Sequence, residues 1–249
     1  MEIKYAVSAL NDIGRKRKSN DDAILINRKY HFFGVSDGVG SFPYGKQCAH
    51  LVCQEIDNVL KRAYQIYEEE HDIASLKHFM KQSIENISDK ISILYNDGVH
   101  KYYGATFCGV MFIANKALFF NIGDSRAYHL KRYSNEIKQV SKDHTIASIL
   151  LEKELITLKD YQTNYQSSPI THYMGMNEQA EVDVFEKTLH KNERIILASD
   201  GLFSMVSNEE IRQISAKSNN PKRVVKKLVK KANENGGKDN ISVIYLKIK

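Results

Sequence analysis

The sequence of 249 residues predicts an α+β fold in which two antiparallel sheets are covered by helices. Short apolar runs that end at turns indicate strands on both sides of two long amphipathic segments. The central block of strands has tight turns where a doubly wound parallel sheet would have helices. We expect one domain over residues 1–249, because no Pro/Gly/Ser-rich linker, repeat or low-complexity tract divides the sequence.

Strands are predicted where a short apolar or alternating run is bounded by turn residues. Tight turns such as Asn115-Lys116 join four of these runs into an antiparallel meander in the middle of the chain. The predicted strands are residues 3–10, 23–27, 31–36, 106–114, 117–122, 125–130, 137–140, 193–199 and 241–248.

Helices are predicted where apolar residues recur every three or four positions. The two longest, residues 46–67 and 73–95, carry these residues on one stripe, which we interpret as core surface and not as a cofactor site. Pro221 suits the first turn of a later helix, where its missing N–H is not needed. The other predicted helices are residues 145–155, a shorter piece near 158, 208–215 and 221–234.

Composition and charge are those of an ordinary globular protein. Hydrophobic residues make up 42% and charged residues 27% of the chain, and the net charge of +6 favours anionic partners only weakly. The three cysteines are odd in number and lack metal-pair spacing, which favours a reducing compartment. The N-terminus does not resemble a signal peptide, and the apolar runs are too short to span a bilayer. We therefore expect a cytoplasmic protein with no membrane partner.

Aspartates at the ends of apolar runs or beside a glycine are the most informative feature. Asp37 and Asp200 each follow a short buried run and precede a glycine. A carboxylate at the end of a buried strand is costly unless it is paired or bound to a cation. Several converging strand ends would make an oxygen-only pocket for hard divalent metals. The full set is Asp21, Asp22, Asp37, Asp124, Asp200 and Asp239.

Such a set suits two-metal phosphoryl hydrolysis, which needs carboxylates for the metals, an activated water and a cation for the phosphate oxygens. Arg17 is a candidate for that cation, since its planar fork binds two oxygens at once. The metal candidates are Asp37, Asp200 and Asp239 with the Gly38 carbonyl, and Asp21 and Asp22 directly or through water.

Six short motifs carry these residues. They are residues 17–23 (RKSNDDA), 35–40 (VSDGVG), 121–128 (NIGDSRAY), 141–145 (SKDHT), 197–202 (LASDGL) and 239–244 (DNISVI). Their order and content resemble those of the metal-dependent serine/threonine protein phosphatases (PPM, protein phosphatase 2C type), in particular the bacterial members. Each motif alone is weak, because Asp-Gly and Asp-Asn are common in turns, but six in order are specific.

The resemblance implies a central β-sandwich of two antiparallel sheets flanked by pairs of α-helices, a four-layer αββα arrangement. It also implies two Mn²⁺ or Mg²⁺ ions, with Asp37 bridging both and Asp200 and Asp239 completing the shell of the first. The Gly38 carbonyl would bind the second ion, with Asp21 or Asp22 reaching it through water.

The same resemblance assigns the outer parts of the site. Asp124 would join Asp200 in a looser third metal site, and Arg17 would clamp the phosphate. Residues 145–175 would form a flap that shapes substrate choice. The activity implied is hydrolysis of phosphoserine and phosphothreonine by direct attack of a metal-bridged water, with no phosphoenzyme. We expect a monomer in a bacterial signalling pathway, acting on phosphoproteins made by a cognate Ser/Thr kinase.

Some positions depart from the family's motifs. Asp21 replaces a glutamate, and its shorter side chain implies a longer or water-mediated metal contact. Val39 stands where eukaryotic members carry a histidine thought to protonate the leaving group, which leaves the general acid unassigned. Residues 40–41 are Gly-Ser in place of Gly-Gly, and residues 45–46 are Gly-Lys in place of Gly-Glu.

Two other functions stay open. The fold could serve as a binding or regulatory module, a pseudophosphatase, although the intact metal candidates argue against it. Residues 40–47 also match the G-x-x-x-x-G-K pattern of a nucleotide-binding P-loop. Gln47 stands there in place of the Ser or Thr that holds Mg²⁺, and Pro43 removes a backbone N–H from the phosphate cradle.

Structural roles are alternatives for several single residues. Asp124 could form an ion pair with Arg126, and Arg17 could be a solvated charge. We interpret His144 as an anchor for a loop. The basic helix at residues 221–234 has no interleaved aromatic residues for base stacking, so we interpret it as a surface helix and expect no nucleic-acid partner.

Overall fold

The structure, a computed structural model, describes residues 3–40, 43–95, 103–131, 136–164, 168–176 and 180–249. The Gly-Ser departure from the family's motifs involves Ser41, which lies outside these residues. None of the helices in the described ranges combines the length and apolar composition needed to cross a bilayer.

Two five-stranded sheets form the centre of the molecule, and all of their strand pairs are antiparallel. The first sheet has the order β10-β7-β6-β3-β2 and the second β1-β12-β11-β8-β9. The strands are β1 (Tyr5–Asp12), β2 (Ala23–Asn27), β3 (Phe32–Ser36), β4 (Gly38–Val39), β5 (Gly104–Ala105), β6 (Phe107–Ile113), β7 (Lys116–Ile122), β8 (Arg126–Leu130), β9 (Lys138–Gln139), β10 (Asp183–Thr188), β11 (Arg194–Ala198) and β12 (Ile241–Ile248). The short strands β4 and β5 pair with each other beside the first sheet.

Helices cover the outer face of each sheet. On the first sheet they are α1 (Tyr44–Glu70) and α2 (Ile73–Tyr95), and on the second α5 (Asp200–Phe203), α6 (Asn208–Ala216) and α7 (Pro221–Glu234). Two short helices, α3 (Ile146–Glu152) and α4 (Leu158–Asn164), pack against each other between β9 and β10. Sequence signals fix several starts: Ser207 and Glu210 form a capping box on α6, and Asn220 caps α7 just before Pro221.

Three layers of apolar side chains hold the sandwich together. One lies between α1, α2 and the first sheet, a second between the two sheets, and a third between the second sheet and α5–α7. The fully buried Phe33, Phe112 and Phe119 belong to the layer between the sheets. The predicted four-layer αββα arrangement is confirmed.

Four elements were not predicted from the sequence: β10, the one-turn helix α5 and the two-residue strands β4 and β5. Strand β10 pairs with β7 at the edge of the first sheet, and its residues are mostly half-buried. An edge strand carries charged side chains, here Asp183, Glu186 and Lys187, and these interrupt the apolar run by which a strand is recognised. Strand β1 also continues to Asp12, two residues beyond the predicted end.

Candidate metal centre

The strand register brings the candidate aspartates to one edge of the sandwich. In the first sheet Ala23 pairs with Ser36, so Asp22 and Asp37 lie at the same end of their strands. In the second sheet Ala198 lies opposite both Val243 and Arg126. Asp124, Asp200 and Asp239 occupy the loops just beyond these three positions. Residues that are far apart in sequence therefore meet at one edge, as the sequence predicted.

The pKa values record how closely these carboxylates face one another. Burial raises the pKa of Asp37 well above its usual range, and the charges of Asp22, Asp200, Asp124 and Asp239 raise it further. The pKa of Asp200 is raised in the same way, first by burial and then by Asp124, Asp239 and Asp22. Asp37 and Asp200 retain some solvent contact, but protein atoms surround them densely. Mutual repulsion of this kind is what a bound cation would relieve.

Asp22 and Asp124 lie in the same electrostatic environment. Burial raises the pKa of Asp22 to about 6, although the hydrogen bond from Ser199 opposes the shift. Burial also raises the pKa of Asp124 to about 6, with a further rise from Asp143 and an opposing effect of Arg126. Carboxyl groups with these values are only partly ionised near pH 6.

Unsatisfied oxygens mark the centre as a place for a hard cation. Asp22 Oδ1 and Asp200 Oδ1 are buried without a hydrogen-bond partner among the described residues. A buried carboxylate oxygen without a partner is costly, and Mg²⁺ and Mn²⁺ prefer oxygen ligands of this type. The donor set, all oxygen and strongly anionic, therefore fits such an ion.

The side chains are not arranged as a finished cage. Within the described ranges, no group of three or more His, Cys, Asp or Glu side chains is placed to hold a metal ion. Two of the oxygens are engaged by protein donors: Ser199 Oγ donates to Asp22 Oδ2 at 2.7 Å, and Arg17 Nη2 donates to Asp239 Oδ2 at 2.6 Å. Binding a cation through all of these groups would require side-chain rearrangement.

Arg17 lies at the mouth of the centre. Its side chain is half exposed and forms an ion pair with Asp239. The hydrogen bond to Asp239 is the main cause that raises the pKa of Arg17, and the charges of Asp37 and Asp200 add to it. The guanidinium thus faces the aspartates, and Arg17 is a charge that is both paired with Asp239 and partly exposed to solvent.

Asp21 and Gly38 form the side of the centre next to α1. The Asp21 side chain accepts a hydrogen bond from Ser19 Oγ at 2.8 Å. A Cβ atom added to Gly38 would lie 2.8 Å from the Asp21 carbonyl oxygen and 2.5 Å from that of Gly45. Only glycine allows this close approach of the turn to the start of α1. Lys46, the departure from the family's motif, is half-buried in the first turn of that helix.

Asn240 organises the loops around the centre, a role that the sequence did not suggest. Its Oδ1 accepts from the Asp21 N–H at 2.8 Å, and its Nδ2 donates to the carbonyl oxygens of Ile13 and Ser19, both at 2.9 Å. The side chain is buried. One amide therefore joins the segment around Arg17 to the segment around Asp239. The motif Asp-Asn was visible in the sequence, but a turn explains it equally well.

Thr106 and Ser199 are further supports that sequence reasoning missed. Thr106 Oγ1 accepts from the Asp37 N–H at 3.1 Å, and the Asp37 carbonyl accepts from the Thr106 N–H at 2.8 Å. Ser199 precedes Asp200, and its hydroxyl also accepts from the Ser242 N–H at 2.9 Å. Small hydroxyl residues give no sequence pattern that distinguishes them from ordinary core positions.

Arg126 pairs with Asp143 and not with Asp124. Its Nε lies 3.0 Å from both carboxylate oxygens of Asp143, and both side chains are buried. Tyr161 Oη donates to the same carboxylate at 2.8 Å. The guanidinium also lies 4.0 Å from the centroid of the Phe203 ring. Arg126 therefore forms its ion pair with Asp143, and the alternative of an Asp124–Arg126 pair is wrong. The Asp124 carboxylate is left facing the centre.

His144 anchors the loop that carries Asp124, as the sequence analysis proposed. The Gly123 N–H donates to its Nδ1 at 3.3 Å, and its Nε2 lies 3.1 Å from Asp183 Oδ2. The hydrogen bond with His144 is the main cause that lowers the pKa of Asp183. The predicted flap begins at the next residue, where Thr145 forms a β-bridge with Ile170.

A β-sandwich flanked by helices, with aspartates that converge at one edge of its two sheets, defines a class of metal-dependent phosphatases. The family model of protein phosphatase 2C matches residues 14–241, so the chain belongs to that family. The resemblance to the metal-dependent serine/threonine protein phosphatases is thereby confirmed, and with it the enzyme class.

Individual relatives are similar over their full length. The protein phosphatase PhpP of Streptococcus pneumoniae is 28% identical over 245 residues, which cover 95% of each chain. The structure of the S. agalactiae serine/threonine phosphatase has a TM-score of 0.88 at 23% identity, covering 99% of this chain and 100% of the other. The catalytic domain of the phosphatase PstP, solved in complex with two manganese ions, has a TM-score of 0.80 at 21% identity, covering 100% and 99%.

Proposed function

We propose that this chain hydrolyses phosphoserine and phosphothreonine esters in proteins with the help of Mn²⁺ or Mg²⁺ ions. The proposal rests on the convergence of five aspartates at one edge of the sandwich. Burial and the charges of the neighbouring aspartates raise the pKa values of Asp37 and Asp200 there. Family membership supports it, as does the structure of the PstP catalytic domain in complex with two manganese ions. Phosphoproteins made by a Ser/Thr kinase are the substrates this implies.

Asp37, Asp200 and Asp239 would hold the first ion, and Asp37 would also reach the second. The second ion would take the Gly38 carbonyl, with Asp21 or Asp22 near it, and Asp124 with Asp200 would offer a third position. When bound, such ions lower the pKa of water and neutralise charge on the phosphate. For Asp22 and Asp239, binding an ion would mean exchanging their present donors, Ser199 and Arg17, for the cation.

Arg17 would bind the phosphate oxygens. Its guanidinium is half exposed at the mouth of the centre, and its fork can donate two parallel hydrogen bonds. Release of Asp239 to a cation would free the same fork for the substrate. Asn240 keeps Arg17 in reach, because it fixes the backbone at Ser19 and Asp21.

The segment 145–175 would act as a flap beside the centre. Within it, Ala147 N–H donates to Ser168 Oγ at 2.7 Å, and Tyr161 of α4 reaches Asp143. A narrow cavity between this segment and the aspartates is lined by Asp124, Thr145, Ser168 and Phe203, among others. A phosphorylated side chain entering there would reach Asp200.

We further propose that the protein acts as a cytoplasmic monomer and that residues 1–249 form one domain.

Hydrolysis of p-nitrophenyl phosphate and of a phosphothreonine peptide, with and without manganese, tests the proposal. The expected result is turnover that requires manganese and is lost in Asp37→Asn and Asp239→Asn with the fold retained by circular dichroism. Asp160→Asn is the matched control, because Asp160 is an exposed aspartate of α4. Absence of turnover by the unmodified chain at several pH values would favour the alternative of a binding module.

A further inference from the structure

The outer face of α7 is a row of cations. Six of the ten residues from 222 to 231 are Lys or Arg, and none is acidic. They share one half of the helix surface, because the other half is occupied by the buried Val224, Val225, Leu228, Val229 and Ala232. The six cations are Lys222, Arg223, Lys226, Lys227, Lys230 and Lys231.

This row does not stabilise the helix. Lys222 and Lys226, and likewise Arg223 and Lys227, are like charges four residues apart, an arrangement that destabilises a helix. Lys222 and Arg223 also stand in the first turn, where the helix dipole disfavours a positive charge. Since Lys222, Arg223, Lys226 and Lys227 add only repulsion to the helix, a role in binding is the better physical explanation for these four charges.

Most of the row has no acidic partner. Lys230 lies 3.5 Å from Glu234, an exposed pair, and Lys231 lies 3.1 Å from Glu210. The other four cations are exposed and form no ion pair with the described residues. They are Lys222, Arg223, Lys226 and Lys227.

A second basic segment joins the end of this helix. The backbone N–H groups of Arg15 and Lys16 donate to the Gly237 carbonyl at 2.7 and 3.2 Å, and the Gly237 N–H donates to Ala232 of α7 at 3.0 Å. Arg15, Lys16 and Lys238 are all exposed. The cations of α7 and these three residues lie on segments that meet at Gly237, and we call this set of cations the basic band.

The basic band leads to the candidate centre. Gly237 is two residues from Asp239, and Arg15 is two residues from Arg17, the residue at the mouth. Helix α7 has 14 residues and is thus about 21 Å long. A fully extended peptide covers that length with about six residues. A substrate segment that starts at the phosphorylated residue can therefore follow the band.

We propose that the basic band binds an acidic segment of the substrate that flanks the phosphorylated residue. This inference rests on the proposed function and names a substrate class for it. Charge complementarity selects the partner, and the continuity of the band with the centre selects a peptide tethered to the phosphate over a separate polymer. The lack of aromatic side chains on α7 removes the stacking surface that a nucleic acid would use.

Three phosphothreonine peptides that differ only in their flanks test the inference. One carries Asp and Glu on both sides, one carries Ser and Gly, and one carries Lys. The variant Lys222→Gln/Arg223→Gln/Lys226→Gln/Lys227→Gln removes four charges from the band. The control Arg28→Gln/Lys29→Gln/Lys61→Gln/Arg62→Gln removes four exposed charges from the β2–β3 turn and α1. These lie far from the centre, because Asp37 follows the opposite end of β3.

The expected result is a rise of about tenfold in KM for the acidic peptide in the band variant at low ionic strength, with kcat unchanged. The neutral peptide and p-nitrophenyl phosphate should be unaffected, and the control variant should behave as the unmodified chain. The difference should vanish at high salt, where charges are screened. Equal KM values for the acidic peptide in the unmodified chain and the band variant would overturn the inference.

Fluorescence anisotropy with a labelled, non-phosphorylated acidic peptide separates this inference from the proposed function. Binding that is lost in the band variant supports the band even if the chain has no turnover. If the unmodified chain does not hydrolyse p-nitrophenyl phosphate, that result contradicts the proposed function but not the basic band. Duplex DNA and anionic lipid vesicles serve as competing probes. If only their binding depends on the band, the acidic peptide is the wrong partner.

Discussion

Arg17 shows how one side chain can serve two anions in turn. In the structure its guanidinium neutralises Asp239 at 2.6 Å, which a nearby cation would do equally well. The same guanidinium has the geometry to hold phosphate. If Asp239 binds a cation and Arg17 binds phosphate, as proposed, the two events would be linked, because the cation would release the guanidinium that the phosphate needs.

Arg17→Ala should raise the KM for a phosphothreonine peptide about tenfold, with a smaller change in kcat, because a charge-assisted hydrogen bond to the phosphate is lost. It should not weaken manganese binding, since Asp239 then loses its competing partner. Steady-state kinetics and a manganese titration check both parts. Lys18→Ala, a change in the exposed neighbouring cation, is the control. Weaker manganese binding in Arg17→Ala would contradict this account.

The carboxylates of the centre could be recognised from the sequence, but their supports could not. Asp37 and Asp200 follow buried strands. A carboxylate in such a place is costly unless it is paired or bound to a cation, so its presence indicates a ligand. Asn240 and Ser199 act through hydrogen bonds to segments more than 170 residues away in sequence, which no local pattern records. Only Asp124 was weighed from the sequence as a partner of Arg126, because no local pattern points to Asp143, 17 residues away.

At the scale of elements, a buried ion pair joins β8 to the flap. The side chain of Arg126, the first residue of β8, contacts Asp143 in the loop before α3. Tyr161 of α4 donates a hydrogen bond to the same carboxylate. A buried charge whose partner is removed is much more costly than an exposed one. The pair therefore fixes the start of the flap against the second sheet.

Asp143→Asn should lower the free energy of unfolding by about 3 kcal/mol, because it leaves the Arg126 guanidinium without its buried counter-charge. Urea unfolding checks this value. Lys142→Ala is the control, since the adjacent Lys142 forms an exposed pair with Glu152 at 2.8 Å. That change should cost less than about 1 kcal/mol. Similar losses in the two variants would show that burial does not set the strength of the Asp143 pair.

The helices and strands that could be predicted from the sequence are those whose apolar residues are regularly spaced. Helices α1 and α2 and the central strands are long and periodic, so their type followed directly from the sequence. Strand β10 mixes charged and apolar residues without regular alternation at a sheet edge, and it depends on its pairing with β7. The order of strands in each sheet is set by contacts between distant segments, and it was not predicted; the resemblance to a family implied only the layered arrangement.

For the whole molecule, the crowded carboxylates make stability depend on pH and on cations. The folded-state pKa values of Asp22 and Asp124 are raised to about 6, so the folded chain binds more protons than the unfolded chain between about pH 4 and 6. Stability from these groups is therefore complete at low pH and is lost as the pH rises through 6. The raised pKa values of Asp37 and Asp200 act in the same direction.

In the presence of a chelator, the melting temperature should fall by several degrees between pH 5 and pH 8, because the carboxylates ionise and repel one another. Manganese should raise it more at pH 8 than at pH 5. Differential scanning fluorimetry across this range checks the sign. Asp22→Asn should show a smaller decline, since one titrating group is gone. A melting temperature that increases with pH in the chelator would contradict the assignment.

Calorimetric titration of the metal-free protein with manganese at pH 7.5 tests most directly whether the converging aspartates form a cation site. We expect at least two ions to bind per chain, and binding to be lost or greatly weakened in Asp37→Asn but kept in Asp160→Asn. An unmodified chain that binds no manganese, or an Asp37→Asn variant that binds it as well as the unmodified chain does, would contradict the account.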